Sequence, residues 1–266
     1  MLVLKGVCKT FDKGGVNEKT ALKDISAEII SGQFVTVIGS NGTGKSTLLN
    51  CIAGLYGVDA GSITLDGLEL TRLPEYRRAS VIGRVFQDPI IGTAPSMTVE
   101  ENMALALHRG SRRGLSRGIA KGDAAFFAGK LKDLGLGLEE RMKQPVSLLS
   151  GGQRQALALL MAALKRPKLL LLDEHTAALD PAIAKKVMDL TQALVREGNL
   201  TALMVTHNMK AALSCGRRTV MMDEGRIILD ISGAEREKMT VDKLVALFEK
   251  RSGHILDDDK LRLSGG

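Results

Sequence analysis

Short apolar runs punctuated by glycine open the chain, and each predicts a strand. Leu2-Val3-Leu4-Lys5-Gly6-Val7 reads as the first, followed by Phe11 and a polar, glycine-containing loop from Asp12 to Thr20. A second strand is expected through Ile25–Ile30, with a turn at Ser31-Gly32. Phe34-Val35-Thr36-Val37-Ile38 is rich in β-formers and bounded by Gly32 and Gly39, the pattern of a buried strand. Thr47–Ala53 then has the texture of a helix stopped near Gly54. Gly61–Gly67 alternates as a hairpin strand does, and Val81–Phe86 predicts a further strand ending at Gln87.

From Asp88 to about Leu164 the texture changes to helical period. Thr98 with Glu101 three residues on makes a capping box before an Ala/Leu-rich helix, and helical spacing recurs around Ala124–Leu134 and Ala156–Leu164. This block, residues 88–164, reads as a helical subdomain inserted into an α/β core. Leu169-Leu170-Leu171-Leu172 predicts a fully buried central strand and Thr201–Val205 another. Thr219–Asp223 and Arg226–Asp230, joined through Glu224-Gly225, suggest a closing hairpin; a last helix is expected near Val241–Arg251, and the tail after Ser252 is polar. Strands alternating with helices imply a mostly parallel sheet with ligands at the carboxyl ends of its strands.

Composition narrows this picture. Hydrophobic residues make up 44% of 266, enough for one large α/β domain, but aromatics are only 3%, so aliphatic side chains and Met must do the packing. No apolar run approaches the roughly 18 residues of a membrane span, and the N-terminus lacks the apolar core of a signal peptide. Cys8, Cys51 and Cys215 are far apart and odd in number, which points to reduced thiols of an intracellular protein and away from a disulfide frame or zinc site. The net charge of +7 favours anionic partners. Its densest cluster, residues 108–117, reads equally as a solvated loop or a binding patch; no aromatic residue stands beside it to stack on bases, which counts against nucleic acid.

The chemistry begins at Gly39-Ser40-Asn41-Gly42-Thr43-Gly44-Lys45-Ser46-Thr47, which fits the phosphate-loop pattern G-x-x-x-x-G-K-[ST] between a strand and a helix. Glycines let successive N–H groups turn inward as an anion nest, and the helix N-terminus adds partial positive charge. Lys45 can reach the β- and γ-phosphates of a nucleoside triphosphate, and the Ser46 hydroxyl can take one position on Mg²⁺. Four leucines ending in Asp173-Glu174 put two carboxylates at a sheet edge, Asp173 to hold the metal through water and Glu174 to polarise an attacking water. A surface pair capping the next helix is the other reading of those carboxylates. Gln87, just past a strand, has an amide able to touch both metal and attacking water. His207, just past another strand, can hydrogen-bond the γ-phosphate or simply cap a helix. His108, His175 and His254 have no partner pattern and read as structural or exposed.

Leu149-Ser150-Gly151-Gly152-Gln153-Arg154-Gln155 precedes an apolar helix and supplies a second anion nest. One nucleotide does not need two nests from one chain. A head-to-tail dimer does, with each triphosphate held between one chain's phosphate loop and the other's Ser-Gly-Gly.

With these strings in order, the chain resembles an ATP-binding cassette (ABC) transporter ATPase over about residues 1–250. The family's phosphate loop matches Gly39–Thr47, its Gln loop Gln87, its signature Leu149–Gln153, its Mg²⁺ strand Leu169–Asp173 and its catalytic glutamate Glu174. Its dimer-contact loop corresponds to Ala177-Ala178-Leu179-Asp180, its switch histidine to His207, and its adenine-stacking aromatic to Phe11. His175 stands where the family usually has Pro, a departure that bears on the backbone between Glu174 and Asp180 and leaves catalysis expected.

The resemblance implies an α/β fold: a P-loop NTPase core with a mostly parallel central sheet, an antiparallel β subdomain and the inserted helical subdomain, followed by a polar tail over 251–266. It implies ATP and Mg²⁺, closure of a homodimer on ATP, and opening on hydrolysis. It also implies a separate transmembrane permease met by Val99–Leu107 and the region around Gln87, an extracytoplasmic substrate-binding protein, and a place on the cytoplasmic face of the membrane. The branch it is similar to is linked to bacterial uptake, with amino acids as the suggested substrate class. An exporter's ATPase, or a cassette ATPase acting on nucleic acid or ribosomes, is the alternative; relatives of the latter kind usually carry two cassettes or long coiled-coil inserts, neither seen here.

Overall fold

The computed structural model describes residues 1–111, 118–120 and 122–252. Most of the basic run and the polar tail, with His254, lie outside the described residues. The chain divides into two compact units, one made of Met1–Arg78 with the chain from Leu200 on, the other of Ala79–Asn199.

The first unit opens with β1 (Leu2–Phe11), β2 (Lys19–Ile29) and β3 (Phe34–Ile38), then α1 (Lys45–Ala53), β4 (Ala60–Leu65), β5 (Leu68–Glu69) and a single turn, α2 (Glu75–Arg78). β1 lies between β2 and β4 in an antiparallel sheet ordered β2-β1-β4-β5. β1 and β2 both run further than the apolar pattern predicts. Their extra residues, Lys9, Thr10 and Phe11 against Leu22, Thr20 and Lys19, pair through a bulged register, so main-chain hydrogen bonds carry them where side-chain alternation has faded. α1 stops as expected at Gly54, whose φ of 92° lets its N–H reach Asn50 O at 3.0 Å. The last carbonyls of α1 have a second partner: the buried Arg78 guanidinium donates to Cys51 O at 2.7 Å and Ile52 O at 2.9 Å.

The second unit holds β6 (Ile82–Val85), α3 (Val99–Leu107), α4 (Asp123–Lys132), α5 (Gly151–Ala163), β7 (Leu169–Asp173) and α6 (Pro181–Gly198). β6 and β7 are parallel, Ile82 against Leu169 through Val85 against Leu172, and all four leucines are fully buried. Val99, Met103, Phe127, Leu131, Leu157 and Leu160 join α3, α4 and α5 in one core. The capping box at α3 forms as read, with both Thr98 and Glu101 engaged. α5 begins at Gly151, ahead of the apolar spacing that announces it, because Ser150 caps it. The sequence reading names no helix at α6, although Val187, Met188, Thr191 and Val195, its buried residues, recur at the three- to four-residue spacing of one helical face.

The chain then returns to the first unit with β8 (Ala202–Val205), α7 (Met209–Ser214), β9 (Arg218–Asp223), β10 (Arg226–Ser232), α8 (Gly233–Glu237) and α9 (Val241–Ser252). Within this unit β10, β9, β3 and β8 lie side by side. β3 is parallel to both neighbours, while β9 and β10 form the expected hairpin around Glu224 and Gly225, both at positive φ. Ile38, Met221, Leu229, Leu244 and Phe248 pack this sheet against α7 and α9. Among the described residues no helix is long and apolar enough to cross a membrane.

Candidate functional site

In the first unit, β3 delivers the chain from a fully buried strand into the glycine loop and α1. The loop can follow that path only with glycine at two places. Gly39 sits at φ 150°, where a Cβ would lie 2.2 Å from Met222 O; Gly44 sits at φ 98°, where one would lie 2.4 Å from Ala21 O. Gly44 is also the N-cap of α1, where it makes no side-chain cap hydrogen bond. Lys45 is buried, and its ammonium donates to Gly39 O and Ser40 O, each at 2.7 Å, which draws the loop closed around the cation. Thr43 Oγ1 donates to Ser40 O at 2.9 Å, and the Gly225 amide of the β9–β10 turn donates to Thr43 O at 3.1 Å, bracing the loop from behind. Ser46 is exposed on the first turn of α1.

His207 lies just beyond β8, whose Val205 is in register with Val37 of β3; the Thr206 amide donates to Val37 O at 3.1 Å. The register therefore brings His207 and Gly39 to the same edge of the sheet. Asn208, not His207, caps α7, its Oδ1 accepting from the Ala211 amide at 2.8 Å. Phe11 ends β1 opposite Lys19, whose ammonium lies 3.8 Å from where a Cβ on Gly42 would be. Its ring meets Tyr56 edge-on, centroids 5.2 Å apart, with Lys9 Nζ 5.4 Å from its centre. Lys9 also pairs with Asp59, whose carboxyl the Thr10 amide holds below the usual carboxylate range.

In the second unit, Gln87 and Asp173-Glu174 leave neighbouring strands at one edge, because Val85 and Leu172 are in register. Gln87 is exposed, and the Phe86 carbonyl before it accepts from Gln155 Nε2 at 3.2 Å. Arg84, Phe86 and Asp173 share a face: the Arg84 guanidinium lies 4.4 Å from the Phe86 ring centre and 3.7 Å from Asp173 Oδ2. Glu174 is at φ 43°, a left-handed backbone rare for a residue with a side chain. Its carbonyl accepts from Ala177 N at 2.9 Å, starting the turn that leads to Asp180 at the N-cap of α6. His175 is buried within this turn, with Nε2 2.9 Å from Thr191 Oγ1, and burial pushes its pKa down to about 4.

The Ser-Gly-Gly string caps α5. Ser150 Oγ accepts from the Gln153 amide at 3.3 Å, and Gln153 Oε1 accepts from the Ser150 amide at 3.2 Å. Gln153 is therefore occupied as a cap, and its Nε2 also donates to Leu136 O at 3.1 Å. What the cap leaves for an anion are the amides of Gly151 and Gly152. Gly152 has no alternative: a Cβ there would lie 2.2 Å from Ile183 Cγ2 on the first turn of α6.

Tyr56, Arg84 and Thr191 escape the sequence reading. Arg84 has a local signal, a charge inside an apolar strand, while Tyr56 and Thr191 acquire meaning only from partners distant in sequence.

A profile of the ABC transporter family matches residues 22–177. The tyrosine transport ATP-binding protein of Clostridioides difficile (strain R20291) is 46% identical over 94% of this chain and 99% of its own length. The ABC transporter ATP-binding protein YxdL of Bacillus subtilis (strain 168) is 34% identical over 99% of each. Among solved structures, the dimeric post-hydrolysis state of the ATP-binding cassette MJ0796 bound to ADP and Pi superposes with a TM-score of 0.73 at 32% identity, covering 87% of this chain and 98% of that one.

Proposed function

Because the chain belongs to the ABC transporter family, as its ATP-binding subunit, we propose that it hydrolyses ATP between two copies of itself and passes the motion to a separate permease. The single observation that carries this reading is the glycine loop, where Gly39 and Gly44 occupy places no Cβ would fit and a buried Lys45 lies at the start of a helix. The proposed cassette spans residues 1–250, with residues 88–164 as its helical insert.

Each residue has a role in this proposal. The amides of Ser40 through Thr47 and the Lys45 ammonium hold the β- and γ-phosphates, and Phe11 stacks on the adenine. The donor set suits Mg²⁺, which takes oxygen ligands: the exposed Ser46 hydroxyl, the Asp173 carboxylate and the Gln87 amide oxygen. When bound, the metal neutralises charge on the phosphate oxygens. Glu174 accepts a proton from the attacking water and orients it toward the γ-phosphorus. His207 donates to a γ-phosphate oxygen, stabilising charge as the bond to the β-phosphate breaks. Gly151 and Gly152 of a second copy, with its Ser150 and Gln153 setting the cap and its Asp180 beside them, close on the same triphosphate. The dimeric MJ0796 relative supports that arrangement.

Replacing Ser150 tests it. Ser150→Arg is expected to lower steady-state hydrolysis at least about tenfold while ATP binding to the single chain is unchanged. Ser150→Asp keeps a good N-cap but sets a negative charge against the phosphates, so it too is expected to lose activity. Full hydrolysis by both variants would sink the shared site.

The similarity to a tyrosine transport protein supports amino-acid import as the task, with an extracytoplasmic binding protein supplying the substrate and the ATPase lying on the cytoplasmic face of the membrane. A tagged chain drawn from detergent extract is expected to bring a multi-spanning permease with it. Recovery of ribosomes or nucleic acid with no membrane protein would reverse that conclusion.

A further inference from the structure

The turn from Glu174 to Asp180 joins the end of β7 to the start of α6, and its first residue has a left-handed backbone at φ 43°. Such a conformation strains a residue with a side chain and persists only where the surroundings impose it. Upstream, pairing with β6 fixes β7 as far as Leu172. Downstream, the side chain next to Glu174 is buried: His175 is 2% exposed, with Nε2 2.9 Å from Thr191 Oγ1.

The direction of that bond follows from the next one. Thr191 is fully buried, and its hydroxyl donates its single proton to Val187 O, one turn back along α6, at 2.8 Å. Its lone pair is thus what faces the imidazole, and His175 Nε2–H donates to it. A threonine inside a helix often bonds back to its own backbone in this way. Here the bond also orients the hydroxyl as an acceptor at a fixed depth, midway along α6.

We infer that His175 is a positioning residue, whose bond to Thr191 sets the backbone of Glu174 and ties the 174–180 turn to α6. This rests on Glu174 being the catalytic carboxylate. One consequence is that Glu174 and Asp180 move as a single piece with α6. The carboxylate is then held by a bond at the head of the turn and by the helix start at its tail, with Ala177 N to Glu174 O at 2.9 Å and Leu179 N to Thr176 O at 3.3 Å closing the span between. A proline, with no side-chain donor, could fix the backbone at 175 but could not make this tie to α6.

Thr191→Val keeps the shape of the side chain and removes the acceptor. It is expected to lower kcat about tenfold with the KM for ATP within about twofold, since a misplaced carboxylate affects the chemical step and not ground-state binding. Thr191→Ser keeps the hydroxyl and is expected to restore kcat. His175→Phe fills the site without a ring N–H and carries the same test should the valine variant fold poorly; the double variant should be no slower than the worse single one, because both remove one bond. Glu174→Gln is assayed alongside. If it retains the parent rate, the catalytic assignment fails. If it is inactive while folded Thr191→Val and His175→Phe keep the parent kcat, the positioning role fails and the assignment stands. A loss of kcat that Thr191→Ser does not restore, or one matched by an equal loss of ATP binding, also overturns the inference.

Discussion

Glu174→Gln is expected to bind ATP with nearly unchanged affinity and to hydrolyse it about 10²–10⁴ times more slowly, the usual effect of removing a general base. Glutamine has the shape of glutamate and meets the same backbone constraint at φ 43°, so the turn into α6 should be undisturbed. What it lacks is an oxygen that can take a proton from water. Because hydrolysis is the step proposed to open the dimer, this variant with Mg-ATP should also accumulate as a pair of chains. Phosphate release and light scattering on one sample measure both effects. Turnover at the parent rate would remove Glu174 from the chemistry, and a strictly single chain under saturating Mg-ATP would remove the dimer.

The second large effect is expected at Gly39. A Cβ there would lie 2.2 Å from the Met222 carbonyl, and backbone oxygen on the paired strand β9 cannot swing aside as a side chain could. Gly39→Ala should therefore displace the loop or β9, with loss of nucleotide binding and a destabilisation of about 2–4 kcal/mol. Gly42→Ala is the matched control. Its φ is 79°, but among the described residues beyond its chain neighbours a Cβ would meet just the tip of Lys19 at 3.8 Å, so the strain of the backbone alone remains, about 1 kcal/mol. Denaturant melts with and without ATP should separate the two variants clearly. Equal, small losses at both positions would mean that the loop is held less tightly than its contacts require.

Much of the site was legible because its chemistry is written in consecutive residues. A glycine loop between a buried strand and a helix declares itself, as does a run of four leucines ending in two carboxylates or a threonine three residues ahead of the glutamate that completes its capping box at α3. Such signals need only neighbours in sequence. Gln153 shows the limit of that legibility. It lies in the signature string, yet its side chain is spent on the Ser150 amide and on Leu136 O, so in the proposed anion site its part is to shape the nest.

The main strands, the glycine loop, the capping box of α3 and the closing hairpin at Glu224-Gly225 were determined by the sequence on its own, since hydrophobic period, left-handed glycines and capping chemistry act over a few residues. Only the tertiary structure decided that Lys45 folds onto the Gly39 and Ser40 carbonyls, that Arg78 closes the end of α1, that Arg84 lies beside Asp173, and that His175 bonds Thr191. The Thr191 hydroxyl is satisfied by its own helix through Val187 O, but that its remaining lone pair meets a histidine sixteen residues away was decided by packing alone. A buried polar group has no preferred place until its partner arrives, and that partner is chosen by packing.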